Sequence, residues 1–330
     1  MKIHVINSIE KDLEERIKKT KSILIYSNLI KAVISCFYYK GSIIYSEKEN
    51  KILNLTQKVL KIPYLYGEIK NIKDFQNHYS QIKKYEIPVL MYHQFVSNSN
   101  EGGKIKIFVT KKQFELQLKI LKLLGYKTIT FKDLDILGME NRFYKKYIIL
   151  TVDDGYEDNY KVLFPLLKKY NMKAVIFLVS NLKYNKWTMD NDNEKKFMLM
   201  NEQQILEMQE SGYIEFGGHT LSHVSLSAVS TEEAKEEIFE DKKITEKRLG
   251  KTISIFAYPF GHRKEETKEI VKEAGYKFAV STDTGSGIFT EDLFDIRRTA
   301  IDKTSIFDFI RKISPSYAQY KAKKYKNKRG

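Results

Sequence analysis

"YIILTVDDGY" (residues 147–156) decides how this chain is read. Its first six residues form an apolar, β-branched run with the length of a buried strand. Asp153, Asp154 and Gly155 then stand where that strand ends. Adjacent acids repel, and Asp and Gly both weaken a strand. Spending the end of a core strand on them needs a reason, and the surrounding sequence offers one.

Comparable apolar runs follow on either side: "IPVLMY" (87–92), "KTIT" (127–130), "AVIFLV" (174–179), "IEFGG" (214–218), "ISIFAY" (253–258), "FAVS" (278–281) and "IRRTAI" (296–301). Helical patterns lie between them. In "KKQFELQLKILKLL" (111–124), Phe114, Leu118, Leu121 and Leu124 share one face. Ser230 before "TEEAKEE" reads as an N-cap, and Gly125 and Gly275 as the C′ residues of their helices. Strands alternating with helices imply parallel pairing and an α/β fold. The number of strands suggests a (β/α) barrel, irregular or incomplete, with an open doubly wound sheet as the alternative. The barrel is expected over residues 86–315. Residues 1–85 do not join the rhythm and read as a small N-terminal extension, α/β or helical, of unassigned role. Within it, "SILIYSNLIKAVISC" (22–36) is short for a membrane span and is interrupted by Lys31, so it reads as a packed helix or a strand pair.

The chain has 330 residues and a formal net charge of +15, which favours an anionic partner over a neutral one. The excess is densest in the basic tail 316–330, which ends "KAKKYKNKRG" and suits peripheral contact with an anionic membrane. No nucleic-acid-binding motif accompanies it, so nucleic acid is not an expected partner. The single cysteine, Cys36, excludes an internal disulfide. The N-terminus lacks the apolar core of a signal peptide, and no stretch reads as a transmembrane helix. The expected location is therefore cytoplasmic, with membrane association at most peripheral.

In a parallel barrel, chemistry gathers at the C-terminal ends of the strands. Asp153 and Asp154 follow Val152, "GGHTLSH" (217–223) brings His219 and His223 after a strand, "YPFGH" (258–262) follows another, and "YHQF" (92–95) another. Four strands thus deliver unusual residues to one rim. The H-x-x-x-H spacing reads as two imidazoles on one side of a helical turn, within reach of one ion. Two His and one carboxylate leave positions open for water and substrate. One acid can then ligate a cation while the other acts as general base on an activated water. Taken singly, the acids also read as a turn and the histidines as a surface pair. Their convergence is what favours a metal hydrolase site.

"TVDDGY", "HTLSH" and "AYPFG", in this order, resemble the NodB-type polysaccharide deacetylases, carbohydrate esterase family 4. "PVLMYHQF" and "FDIRRTAI" resemble the opening and closing segments of a subgroup that includes poly-N-acetylglucosamine deacetylases. The similarity runs from about residue 87 to about 313. It implies a distorted (β/α) barrel of NodB-homology type that hydrolyses N-acetyl groups on sugars with a divalent cation, Zn2+ first, with Co2+, Ni2+ or Mn2+ as alternatives. By the same resemblance, Asp153 is the base, and Asp154, His219 and His223 hold the metal. Tyr258, Pro259 and Phe260 line the groove, with the Phe260 N–H toward the oxyanion.

Three departures from the family pattern matter. Val152 replaces the usual Phe. Ala257 stands where many members carry an Arg that orients the base, a charge that Arg298 is placed to supply from the last strand. The Leu-x-His segment that brings a general acid elsewhere is missing, which makes His93 and, second to it, His262 the candidates for that role; His93 reads equally as a packed core histidine, and the metal-bound water or Asp153 itself is a further source of the proton. Trp187, in the long connection 181–200, is placed either to stack on a sugar or simply to pack. The expected substrate is an N-acetylated glycan of the cell envelope or its glycolipid precursor. A carbohydrate-binding or assembly protein without turnover is the alternative. A glycosidase fits less well, because adjacent acids do not flank a scissile bond at the required separation.

Overall fold

The computed structural model describes residues 87–137, 146–282, 292–302, 304–314, 317 and 320, and four short strands ahead of them. Those strands, β1 (Ile3–Ile6), β2 (Ile23–Tyr26), β3 (Ile43–Ser46) and β4 (Lys51–Leu53), form an antiparallel sheet in the order β2-β1-β3-β4. The extension expected to be α/β or helical thus carries a sheet, and 22–36 contributes β2. The rest of 22–36 and almost all of the basic tail lie outside the described residues.

From residue 87 the expected alternation holds. The elements are β5 (Val89–Tyr92), β6 (Gln94–Val96), β7 (Phe108–Thr110), α1 (Lys111–Leu123), β8 (Lys127–Thr128), α2 (Phe131–Leu137), β9 (Tyr147–Val152), α3 (Phe164–Tyr170), β10 (Ala174–Leu178), α4 (Lys186–Asp192), α5 (Glu202–Glu210), β11 (Ile214–Gly218), α6 (Thr231–Leu249), β12 (Ile255–Ala257), α7 (Glu265–Glu273), β13 (Phe278–Val280), β14 (Thr299–Ala300) and α8 (Ile306–Lys312). The main sheet is parallel throughout, in the order β13-β12-β11-β10-β9-β5-β14, with β8 beside the first half of β9. The segment before β14 bridges Val280 to Ile296 and then runs on to pair with β5, which joins the two ends of the sheet into a distorted barrel.

The period of two along each strand sorts the core into two layers. Ile149, Val175, Phe177, Ile255, Ala257, Val280 and Ile296 cluster in the barrel interior. Their neighbours Ile148, Leu150, Ile176, Phe256 and Ala279 pack outward with Leu118, Leu121, Leu167 and Ile238 of the helices. Thr110 caps α1 with a reciprocal box, Ser230 caps α6, and Gly125 and Gly275 take positive φ just past α1 and α7.

Residues 159–170 open with a π-turn at Asn159–Leu163 before α3 begins. Pro165 accounts for the irregularity: it has no N–H, and its ring crowds the preceding turn. The looser turn leaves Asn159 free to donate its Nδ2 to the His93 carbonyl at 2.9 Å.

Candidate active site

The inward series of β9 runs Tyr147, Ile149, Thr151 and on to Asp153, so the first acid points into the mouth of the barrel. It is 3% exposed. Ile296 and Arg298 share the inner face of the last segment, and Arg298 is fully buried. Arg298 Nη1 donates to Asp153 Oδ1 at 2.5 Å and Nη2 to Oδ2 at 2.7 Å. Its Nε donates to the Ser281 carbonyl and its Nη1 also to Thr151 Oγ1, and its guanidinium lies over the Phe177 ring. Burial opposes the charge on Asp153, but the Arg298 guanidinium outweighs it and holds the carboxyl below its usual range. Ala257 leaves the interior position open for this arrangement.

Asp154 has φ +75°, a conformation rare for a side-chain-bearing residue, which turns its carboxylate away from that of Asp153. Its Oδ1 lies 3.4 Å from His219 Nε2 and 3.2 Å from His223 Nε2. The three groups are buried, with ligand atoms all within 4.8 Å of one another. His219 Nδ1 is 2.7 Å from the Ala257 carbonyl, an acceptor, so the proton sits on Nδ1 and the Nε2 lone pair faces Asp154. Asp154 Oδ1 is a buried oxygen with no hydrogen-bond partner of its own. A buried carboxylate oxygen facing two imidazole Nε2 atoms is the donor set of a cation site, so the residues fit a divalent ion.

The two histidines do not share a helical turn as expected. Residues 219–223 form an irregular loop in which Thr220 and His223 take φ +67° and +60°. Each such non-glycine residue costs on the order of 1–3 kcal/mol and persists only where its surroundings over-determine it. The imidazoles meet edge to face with ring centroids 4.9 Å apart.

His93, between β5 and β6, points its Nε2 to within 3.9 Å of Asp153 Oδ2 and keeps 22% of its side chain exposed. It therefore borders both Asp153 and the opening. Pro259 is buried, and Phe260 follows it at φ +58° in a 3-10 turn. The turn's own bonds take the N–H groups of Gly261 and His262, leaving that of Phe260 outside them. The Phe260 ring is 48% exposed and packs edge-on to His223.

Tyr258 does not meet its expectation. It is fully buried among the outer-layer residues and donates its hydroxyl to the Phe294 carbonyl, because the alternation of β12 turns it away from the mouth. Trp187, on α4, is 8% exposed and stacks on His223 at 4.3 Å between ring centroids. The imidazole occupies that face of the indole. A groove of about 770 Å3 runs outward from His223, walled by Trp187, Asp190, Phe260 and the exposed His262.

Sequence reasoning missed Glu237 and Asp241, buried on α6 behind the histidine loop. Acids at the one-turn spacing 237 and 241 on the side of Ala234 and Ile238 were the available signal. It also missed Asp158, whose Oδ1 accepts from the Phe95 N–H; burial pushes its carboxyl up to about 8.

Comparison with known proteins places this geometry. The polysaccharide deacetylase family model matches residues 140–279. YxkH of Bacillus subtilis (strain 168), named as a polysaccharide deacetylase, is 30% identical over 220 residues, covering 66% of this chain and 72% of YxkH. The chain belongs to the polysaccharide deacetylase family.

As a polysaccharide deacetylase it is a hydrolase of carbon–nitrogen bonds other than peptide bonds. The poly-beta-1,6-N-acetyl-D-glucosamine N-deacetylase of Staphylococcus aureus (strain MRSA252) is 28% identical over 57% of this chain, a match spanning 64% of that enzyme, just under two-thirds. Among solved structures, the Streptococcus pyogenes deacetylase PplD in complex with acetate superposes with a TM-score of 0.60 at 27% identity, covering 69% of this chain and 98% of that one. IcaB from Ammonifex degensii, at 22% identity and a TM-score of 0.57 over 71% of this chain and 97% of that one, shares the fold. Among the described residues, no helix is long and apolar enough to cross a membrane.

Proposed function

We propose that this deacetylase removes the acetyl group from an N-acetylated sugar of a cell-envelope glycan or its lipid-linked precursor, with Asp154, His219 and His223 holding a divalent cation, Zn2+ first among the candidates. The supporting observation is the buried, unpartnered Asp154 Oδ1 between two imidazole Nε2 atoms. A divalent cation bound there supplies Lewis acidity to the attacking water and the amide carbonyl.

The remaining work falls to the chain's own side chains. Asp153, kept ionised and oriented by the Arg298 fork, takes the proton of the attacking water. The Phe260 N–H donates to the oxygen of the former carbonyl, a contribution of about 3–4 kcal/mol in comparable sites. His93 gives a proton to the sugar amine as the C–N bond breaks, leaving acetate and the free amine. Its place beside Asp153 and the opening supports that role. His262 is exposed on the far side of the groove, with Nδ1 3.2 Å from Ser225 Oγ, which supports a substrate-facing role and not a proton donor's.

The relatives named for poly-N-acetylglucosamine make β-1,6-linked N-acetylglucosamine oligomers the first substrates to try. The test is acetate release from these oligomers by protein loaded with Zn2+, alongside the Asp153→Asn variant. Acetate from the wild type and none from a variant that still binds Zn2+ supports the reading. Cation binding with no acetate from any N-acetylated glycan favours a carbohydrate-binding protein, and new reducing ends without acetate a glycosidase.

A further inference from the structure

The loop that carries His219 and His223 is strained, and one face of α6 lies directly behind it. Glu237, Asp241 and Thr245 follow at one-turn spacings on that helix and are all buried, the last two completely. Glu237 Oε2 accepts the Ser222 N–H at 2.9 Å, its Oε1 accepts the Ser222 hydroxyl, and its backbone carbonyl accepts the Leu221 N–H at 3.1 Å. One buried carboxylate thus spends both oxygens on the residue just ahead of His223. One turn further on, the Asp241 carboxyl faces the His219 backbone N–H. Gly218 lets it approach, since a Cβ there would meet both Asp241 and Tyr276. On the opposite side, the Asn181 N–H reaches the Leu221 carbonyl at 3.0 Å, and Thr220 Oγ1 accepts the His223 N–H at 2.9 Å.

We infer that Glu237, seconded by Asp241, is a positioning residue of the cation site: α6 is the template that holds the 219–223 loop in its left-handed conformation and fixes the spacing of the two imidazoles. The inference rests on the reading of Asp154, His219 and His223 as cation ligands. His219 has a hydrogen bond of its own to orient it, through Nδ1 to Ala257. His223 Nδ1 has no such partner, so the orientation of that ring depends on the backbone at 222–223 and on its ring contacts with Trp187, Phe260 and His219. Ser222, gripped by Glu237, is the backbone neighbour that sets it.

The test compares wild type with Glu237→Ala and Glu237→Gln, the latter keeping an acceptor for the Ser222 N–H and a donor for its hydroxyl. Zn2+ affinity is measured by titration against a chelator, the ligand geometry by the visible absorption of the Co2+-loaded protein, and the fold by the melting temperature without cation. At least a tenfold loss of Zn2+ affinity with an altered Co2+ spectrum in Glu237→Ala, restored to within threefold in Glu237→Gln, supports the inference. A folded Glu237→Ala protein with wild-type affinity and spectrum overturns it and leaves the site's reading intact, and so does a Glu237→Gln variant as impaired as Glu237→Ala. If Glu237→Ala does not fold, Ser222→Ala removes the hydroxyl contact alone. A weakened affinity then supports the template, and an unchanged one overturns it. A wild-type protein that binds neither Zn2+ nor Co2+ overturns the proposed cation site, and this inference with it.

Discussion

Arg298 meets Asp153 in a parallel two-bond fork, Nη1 to Oδ1 at 2.5 Å and Nη2 to Oδ2 at 2.7 Å, across 145 residues of sequence. The fork fixes the carboxylate in orientation as well as in charge, which a lysine ammonium at the same place cannot do.

Replacing Arg298 by Lys is expected to lower kcat by about a hundredfold while Zn2+ binding persists, and to move the acid limb of the kcat/KM–pH profile upward. The sign follows from the depressed folded-state carboxyl of Asp153: Arg298 stabilises its ionised form, so weakening the pair lets the proton return at a higher pH. The same pair contributes stability above the unfolded carboxylate range, lost as pH falls through the folded value. Arg298→Met, which strands the buried charge, should cost about 3–5 kcal/mol in urea unfolding at neutral pH. An acid limb unmoved in Arg298→Lys would contradict this account.

Zn2+ added at a hundredfold excess over its dissociation constant should stabilise the protein by about 2.7 kcal/mol. The gain should disappear in His219→Ala and in Asp154→Ala. Differential scanning calorimetry with and without chelator reads it directly, and an equal gain in the variants would place the ion elsewhere.

His93→Gln removes the group we assign to protonate the departing amine. A loss of kcat on the order of 10²–10⁴ is expected, and the loss should shrink on substrates whose leaving group needs no proton. Equal losses on an N-acetyl sugar and on an activated aryl acetate would remove His93 from that role.

Asp158 offers a stability test away from the chemistry. Burial raises its carboxyl from the ordinary 3.8 to about 8 in the folded state. A raised acid is bound more tightly to its proton when folded, so stability is lost as pH climbs from the unfolded value through the folded one. Asp158→Asn keeps an oxygen to accept the Phe95 N–H and carries no charge. Its melting temperature should match wild type near pH 4 and exceed it progressively towards pH 8, by an amount equivalent to about 1–3 kcal/mol. A constant difference across that range would show that Asp158 does not titrate in it.

The barrel was legible because its strands are apolar runs bounded by helix signals, and the rule that chemistry gathers at the C-terminal ends of parallel strands placed Asp153 at the rim. The pairing of Arg298 with Asp153 could be anticipated from the family resemblance, which marks Ala257 as the place of a missing Arg and the last strand as the source of its replacement. Tyr258 was misjudged because motif proximity does not say which face a residue takes: one step along β12 separates the Ala257 carbonyl at the site from a tyrosine in the outer layer. The helical-turn reading of His219 and His223 failed because spacing carries no φ, and the strain at Thr220 and His223 is imposed by tertiary contacts from α6. Trp187 had two readings in the sequence, and only its stack on His223 distinguishes them.

Closure of the ring by the segment leading into β14 also has a consequence in time. During synthesis, every strand from β5 to β13 is made before Arg298 emerges, and until then the Asp153 carboxylate has no guanidinium to meet. A nascent chain stalled ahead of Ile296 can assemble most of its sheet only with Asp153 lacking that partner, as a buried acid driven towards its neutral form. The partner of the Asp153 carboxylate and the segment that closes the ring therefore arrive together.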